Sequence, residues 1–281
     1  MRFLHTFLFQ FHRYLINNKV VVKIYAIFPW RDILYTTKRI LFLDKEMTKN
    51  SNIFTIKNIN VRFFLPYYKK DFIQKQIIQN KNFYEIDFLN HVCTLNNNIV
   101  EKKINNGFIL DIGANIGNHT IYFLKNKHAK KVFCFEPVKD TFDILKKNIE
   151  INELHAKVQL FNTGVGEKSG NAILKHYNIN NIGTAQLDFN ESGDIPIISI
   201  DDLKINENVD FIKIDVEGFE LNVVKGMIET LKQFKPLIMI EIRDFLFNDI
   251  DNILASIGYE HYTIDVDIYK IGNYLFVPRE H

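Results

Sequence analysis

Three clusters in this chain put acids and glycines at spacings that suit ligand chemistry. The first is Leu110-Asp111-Ile112-Gly113-Ala114-Asn115-Ile116-Gly117, at the junction of a strand-like run and a helix-like one. Gly113 permits a tight turn and close approach of a ligand to the backbone, and the helix that follows offers free N–H groups. The spacing is Gly-x-x-x-Gly with Asp111 two residues ahead, not the Gly-x-Gly-x-x-Gly that seats a pyrophosphate. An acid there suits a cationic or amine-bearing ligand. The second cluster is Glu136-Pro137, closing the next apolar run 25 residues after Asp111, where a carboxylate is placed to accept both ribose hydroxyls of an adenosine. The third is Asp215-Val216-Glu217-Gly218-Phe219-Glu220, at the carboxyl end of another run, with Glu241 ending the run after it. Carboxylates gathered at that edge suit three tasks: acting as general base, positioning a hydroxyl, or holding a divalent ion through Asp215 and Glu241. The plainer alternative is that Glu217 caps a helix and Glu220 faces water.

The elements that must position these residues are legible from Phe108 onward. Short apolar runs at Phe108–Ile112, Lys131–Phe135, Val158–Asn162, Asp210–Asp215 and Leu237–Ile242 alternate with helical periodicities, which indicates strand-helix units around a parallel sheet. Runs apolar nearly throughout imply burial on both faces. Phe142, Leu145 and Ile149 share one helical face, as do Leu221, Val224, Ile228 and Leu231, and Ile86, Leu89 and Cys93 mark a helix before the first strand. The glycine-rich stretch Gly164 to Ser199 reads as a hairpin-like excursion over one end of the sheet. Tyr259–Thr263 and Asn273–Val277 suit a closing antiparallel pair at one edge.

The 281 residues suggest one large domain, or one domain with an appendage. The net charge of +2 conceals an asymmetry. Residues 1–106 hold 17 Lys or Arg against 7 Asp or Glu, a balance of +10, which leaves 18 against 26, or −8, for the rest. The basic part suits an anionic membrane surface, nucleic acid or an acidic carrier-linked substrate, with a solvated face as the plainer alternative. Two cysteines, Cys93 and Cys134, are too few for a disulfide scaffold, so a reducing compartment is expected. Met1 to Phe11 lacks a cleavage site, and Val20 to Trp30 is broken by Lys23 and too short to span a bilayer. An N-terminal extension over residues 1–83, in peripheral contact with the membrane, and a main domain over 84–281 are expected.

Taken together, Asp111 to Gly117, Glu136-Pro137, Asn162 to Gly166 with Gly170, and Ile212 to Glu220 resemble the FkbM family of S-adenosylmethionine-dependent methyltransferases, in family order over about residues 84 to 277. The resemblance implies an α/β fold of the class I methyltransferase, Rossmann-like type, a seven-stranded sheet with its last strand antiparallel. It implies S-adenosylmethionine as cofactor. The amino-acid moiety would lie against Asp111, Ile112, Gly113, Ala114, Asn115 and Gly117, the ribose on Glu136 and Pro137, and the adenine near Asn162, Thr163 and Gly164. Asp215 would border the reacting methyl group. The family pattern often has a small residue at Phe219, and Ala172 to Ile198 matches it only loosely.

The function so implied is O-methylation of a sugar or surface-glycan hydroxyl, with Asp215, Glu217 and Glu241 as candidates for the catalytic base and His176 as an outside candidate. Other acceptors consistent with the resemblance are a natural-product hydroxyl or RNA. The acidic second part of the chain opposes a polyanion, and no Asn-Pro-Pro-Tyr sequence follows the fourth strand, so no nucleic-acid partner is expected. A nicotinamide-dependent dehydrogenase shares the strand, turn and later acid but needs the missing middle glycine. The expected location is cytoplasmic, with the inner face of the membrane as the place of contact.

Overall fold

The computed structural model describes residues 42–44, 46–47, 51–178, 181–190, 192–267 and 271–279, with the side chains of 176–178, 181–185 and 189 excepted. The chain divides into two compact units, residues 1–51 and 52–281. In the first, residues 42–44 and 46 are helical and the Met47 N–H donates to the Leu43 carbonyl. The expected membrane contact through the N-terminus falls mainly on residues 1–41, outside the described residues. Among the described residues, no helix is long and apolar enough to cross a membrane.

The second unit opens with a hairpin of β1 (Ile53–Ile56) and β2 (Val61–Phe64), then α1 (Phe72–Asn80) and α2 (Ile86–Ile104). Helix α2 is interrupted at Leu95–Asn98, where three consecutive asparagines take left-handed backbone. There follow β3 (Phe108–Ile112), α3 (Asn118–Lys125), β4 (Lys131–Phe135), α4 (Lys139–Ile151) and β5 (Val158–Phe161). An insertion carries β6 (Gly164–Val165), β7 (Gly170–Asn178), β8 (Asn181–Phe189) and β9 (Ile195–Ile198). The chain then forms β10 (Phe211–Ile214), α5 (Glu220–Lys225), α6 (Ile228–Phe234), β11 (Leu237–Arg243), α7 (Asp244–Ser256), β12 (Tyr259–Val266) and β13 (Ile271–Pro278).

Seven strands make one mixed sheet in the order β12-β13-β11-β10-β3-β4-β5. From β5 to β11 neighbours are parallel, while β13 runs antiparallel to both β11 and β12. The expected antiparallel last strand is therefore present. The order reverses between β3 and β10, and in an open α/β sheet the crevice outside the carboxyl ends at such a switch point is where ligands bind. Strands β3 and β10 are buried at every residue because helices cover both faces of the sheet. Burying Leu110, Ile112, Ile212, Ile214, Ile238 and Ile240, at roughly 1.5–3 kcal/mol each, fixes the register that brings the strand ends level.

Two expectations need correction. The excursion over residues 164–199 is a four-stranded sheet, β6-β9-β7-β8, not a hairpin, because β9 returns to pair with both β6 and β7. The face Leu221, Val224, Ile228 and Leu231 spans two helices and not one. The Gly226 carbonyl between them accepts from the Ser199 hydroxyl and the Asp201 N–H, and a Cβ there would lie 1.9 Å from the Gly166 carbonyl oxygen. A backbone carbonyl bonded sideways in this way does not continue a helix.

Residues 52–64, assigned with the extension from sequence, pack within the second unit. The backbone of β2 is met by two amide side chains, Asn148 of α4 and Asn152 just past its end. Asn152 accepts from the Arg62 N–H at 3.0 Å and donates to its carbonyl at 2.6 Å, and Asn148 accepts from the Phe64 N–H. Two asparagines thus stand in for a neighbouring strand and satisfy an edge that would otherwise be unpaired.

Candidate active site

The carboxyl ends of β3, β4 and β10 open on a cleft at the switch point of the sheet. Ile112, Gly113, Asn115, Glu136, Pro137, Gly164, Asp215 and Glu217 line it, so eight of the residues singled out from sequence meet in one place. Apolar walls come from Phe135, Val165, Leu187 and Phe219, the last of them the residue that departs from the family pattern.

The glycine turn is held from both sides. The N–H groups of Gly113 and Ala114 donate to the Phe135 carbonyl, each at 3.0 Å. Gly113 has φ +77, and a Cβ there would stand 1.8 Å from the Asp215 carbonyl oxygen. Its small size is therefore needed for the approach of the backbone following β10 as well as for the left-handed turn. Gly117, at the start of α3, packs against Leu145 of α4.

Glu136 is nearly buried, and each of its oxygens accepts a backbone N–H: Oε2 from Asn115 at 3.0 Å and Oε1 from Val138 at 2.9 Å. Burial pushes its carboxyl up to about 7, and the two N–H donors resist that shift. Asn162 donates to the carbonyls of Glu136 and Pro137, and the Thr163 hydroxyl donates to those of Gly164 and Pro196. These two residues brace the loop beneath the cleft without lining it.

Asp111 is placed differently from the others. It is fully buried, accepts from the Thr120 hydroxyl and lies 3.5 Å from the Lys213 ammonium. Lys213, 3 % exposed in the middle of an apolar strand, also reaches the Gly113 carbonyl at 2.7 Å and Asp215 at 3.4 Å. A lysine within the run Phe211–Ile214 was the available signal of a buried cation, since an unpaired charge there would be prohibitively costly.

Asp215, Glu217 and Glu241 form a third feature: one carboxylate oxygen from each lies within 4.8 Å of the others, an arrangement that suits a shared proton or a divalent cation. Glu217 has left-handed backbone, φ 56, and accepts from Arg243 Nη2 at 3.2 Å. Burial and then the neighbouring Asp215 push Glu217 up to about 7, against the pull of Arg243. Burial, then Asp215 and Glu217, push Glu241 up to about 8. Glu220 is buried and accepts from the Gly218 N–H, so it does not face water. The side chain of His176 lies outside the described residues.

Residues 111–261 match the family model of the methyltransferase FkbM domain. The chain is similar to the hexuronic acid methyltransferase AglP of Haloferax volcanii, 31 % identical over 144 residues that cover 50 % of this chain and 58 % of that protein. It is also similar to the methyltransferase sdnD of Sordaria araneosa, 25 % identical over 200 residues that cover 59 % and 73 %. The crystal structure of a methyltransferase FkbM from Methylobacillus flagellatus aligns with a TM-score of 0.47 at 17 % identity, over 87 % of this chain and 60 % of that one. The chain thus spans less than two thirds of the length of the first of these relatives.

Proposed function

Because this chain belongs to the methyltransferase FkbM domain family, we propose that it transfers a methyl group from S-adenosylmethionine to a hydroxyl of a sugar or glycan acceptor. The observation that carries the reading is the division of labour along the cleft. The glycine turn and Glu136 follow β3 and β4, and Asp215 and Glu217 follow β10 beside Glu241, which lies within β11 and not at its end as expected from sequence.

The residues present fit the cofactor. Each Glu136 oxygen uses one lone pair on a backbone N–H and keeps one, which suits two adjacent ribose hydroxyls. Val165, Leu187 and Pro137 offer apolar contact to a flat ring, and the acids beyond Gly113 match a cationic ligand. When bound, S-adenosylmethionine supplies an electrophilic methyl carbon on a positively charged sulfur.

The chain's own task is alignment and proton removal. An acceptor oxygen must be held about 3 Å from the methyl carbon, on the line opposite the sulfur. A carboxylate of the Asp215, Glu217 and Glu241 group takes the hydroxyl proton as the oxygen–carbon bond forms and the carbon–sulfur bond breaks, and later passes that proton to water. Bases with pKa near 7 and 8 are well matched to this at neutral pH. Asp215 and Glu241 also suit a divalent ion beside the acceptor oxygen, a second reading that chelation followed by metal add-back would test.

A sugar as acceptor is supported by the hexuronic acid in the name of the Haloferax volcanii relative. The basic residues 1–106 suit an acceptor presented at an anionic surface, at the inner face of the membrane. The test is incubation of the purified protein with S-adenosylmethionine and a panel of glycosides. Release of S-adenosylhomocysteine with a methyl ether on the sugar is expected, and methylation of nitrogen, or of no acceptor, would contradict the proposal.

A further inference from the structure

Glu220 stands at the start of α5 with its side chain turned inward. It is 2 % exposed, its Oε1 accepts from the Gly218 N–H at 2.7 Å, and its Oε2 is buried without a hydrogen-bond partner among the described residues. Burying a carboxyl is costly, and the Gly218 N–H works against that cost. The bond ties a residue outside the cleft lining to the loop that enters it.

That loop, between β10 and α5, carries Glu217 and Phe219 into the cleft, with exposed Gly218 between them. Glu217 has φ 56 and Gly218 φ 103, so two consecutive residues hold left-handed backbone. A glutamate keeps that conformation only where its surroundings impose it. Here they act from two sides. From within, Glu220 holds the Gly218 N–H, which shares a rigid peptide plane with the Glu217 carbonyl. Holding that plane fixes ψ of Glu217, and with it the direction in which the side chain leaves the backbone. From outside, Arg243 Nη2 donates to Glu217 Oε2 at 3.2 Å, and a Cβ on Gly218 would stand 3.5 Å from Arg243 Nε, so the guanidinium group lies over the loop. The Phe219 carbonyl then accepts from the Val223 N–H as α5 begins.

We infer that Glu220 is a positioning residue of the methyl-transfer site: by holding the Glu217–Gly218 peptide it keeps the Glu217 carboxylate in the group with Asp215 and Glu241. It acts through Glu217 and does not itself line the cleft. The inference rests on the reading above that this group takes the proton of a sugar hydroxyl.

The test uses the full chain with S-adenosylmethionine and the panel of glycosides. Glu220→Met, which keeps the bulk and loses the accepting oxygen, should lower kcat by about 10²-fold, the effect of displacing a reacting group by about 1 Å. The KM for the glycoside, and S-adenosylhomocysteine affinity by calorimetry, should stay within about twofold of wild type. Glu220→Gln, whose amide oxygen can accept the same N–H, should keep most of the wild-type kcat. Gly218→Ala reaches the same peptide from the exposed side, where a methyl has room but φ 103 is unfavourable, and should also lower kcat with affinity kept.

The cycle with Glu217→Gln separates positioning from general damage. In that background Glu220→Met should change kcat by less than about twofold, because the side chain it positions is already disabled. If Glu220→Met does not fold, Gly218→Ala takes its place in the cycle: a kcat loss that vanishes with Glu217→Gln supports the inference, and an undiminished loss overturns it. Equal losses from Glu220→Met with and without the Glu217 carboxylate would overturn it too, as would a Glu220→Gln variant as impaired as Glu220→Met, or a loss of cofactor affinity matching the loss of turnover. All of these leave sugar methylation by the wild-type protein intact. A wild-type protein that methylates no glycoside would overturn the sugar reading and this inference with it.

Discussion

Lys213 Nζ donates to the Gly113 carbonyl oxygen across 2.7 Å, joining strand β10 to the turn that follows β3. Burial works against the charge on Lys213, but Asp215 and Asp111 outweigh it and raise its pKa. One ammonium thus sets the distance between the glycine turn and the acid that follows β10. Replacing it by Lys213→Met should leave Asp111 as an unpaired buried charge and cost about 3–5 kcal/mol in denaturant unfolding. Adding Asp111→Asn to that variant should recover part of the loss. Two single variants as stable as wild type would show that the pair is not holding the turn.

Gly113 is under a double demand, from its φ of +77 and from the Asp215 carbonyl that a Cβ would strike. Gly113→Ala should therefore destabilise the protein by about 3 kcal/mol or more and abolish cofactor binding. Thermal denaturation and calorimetry read the two effects separately. A variant that keeps both would contradict the packing described for the turn.

Cofactor affinity should depend on pH through Glu136. Its carboxyl is pushed up to about 7 by burial, and under the proposed function the ionised form is the one that would accept two ribose hydroxyls. Affinity for S-adenosylhomocysteine should fall as pH drops from 8 through about 7 towards 6. Glu136→Gln should bind at least about tenfold more weakly, with little dependence on pH in that window. Calorimetric titrations across the range check both.

Glu241→Gln separates catalysis from binding. Turnover should fall by about 10²-fold while S-adenosylhomocysteine affinity is kept, and the wild-type rate should rise with pH up to about 8. The stability effect has the opposite sign. A carboxyl whose pKa is raised on folding gives the native state more bound protons between its ordinary value and about 8, so stability is lost as pH rises through that window. Glu241→Gln should therefore melt higher than wild type at pH 8 and about the same near pH 4.5, as differential scanning calorimetry would record.

The strands were legible because parallel strands buried on both faces read as continuous apolar runs, and Phe108–Ile112 and Lys131–Phe135 agree residue for residue. The glycine turn and the strand-end acids were legible for the same reason: the fold puts ligand groups at carboxyl ends, and the runs show where those ends are. The side-chain environment of Asp111 was not. Its enclosure depends on Lys213 and Thr120, and nothing local to Asp111 says which way it faces. The hairpin β1-β2 was hidden because its partners are the amides of Asn148 and Asn152, more than 80 residues on. The break between α5 and α6 escaped because Gly226 is set by the approach of Gly166, a long-range contact, while the apolar period runs on across it.

The most direct test of the account is calorimetric titration of the purified chain with S-adenosylmethionine, S-adenosylhomocysteine and NAD, alongside Glu136→Gln. The account predicts saturable binding of the two adenosyl compounds, weakened in the variant, and none of NAD. Binding of NAD alone, or adenosyl binding unaffected by loss of the Glu136 carboxylate, would contradict it.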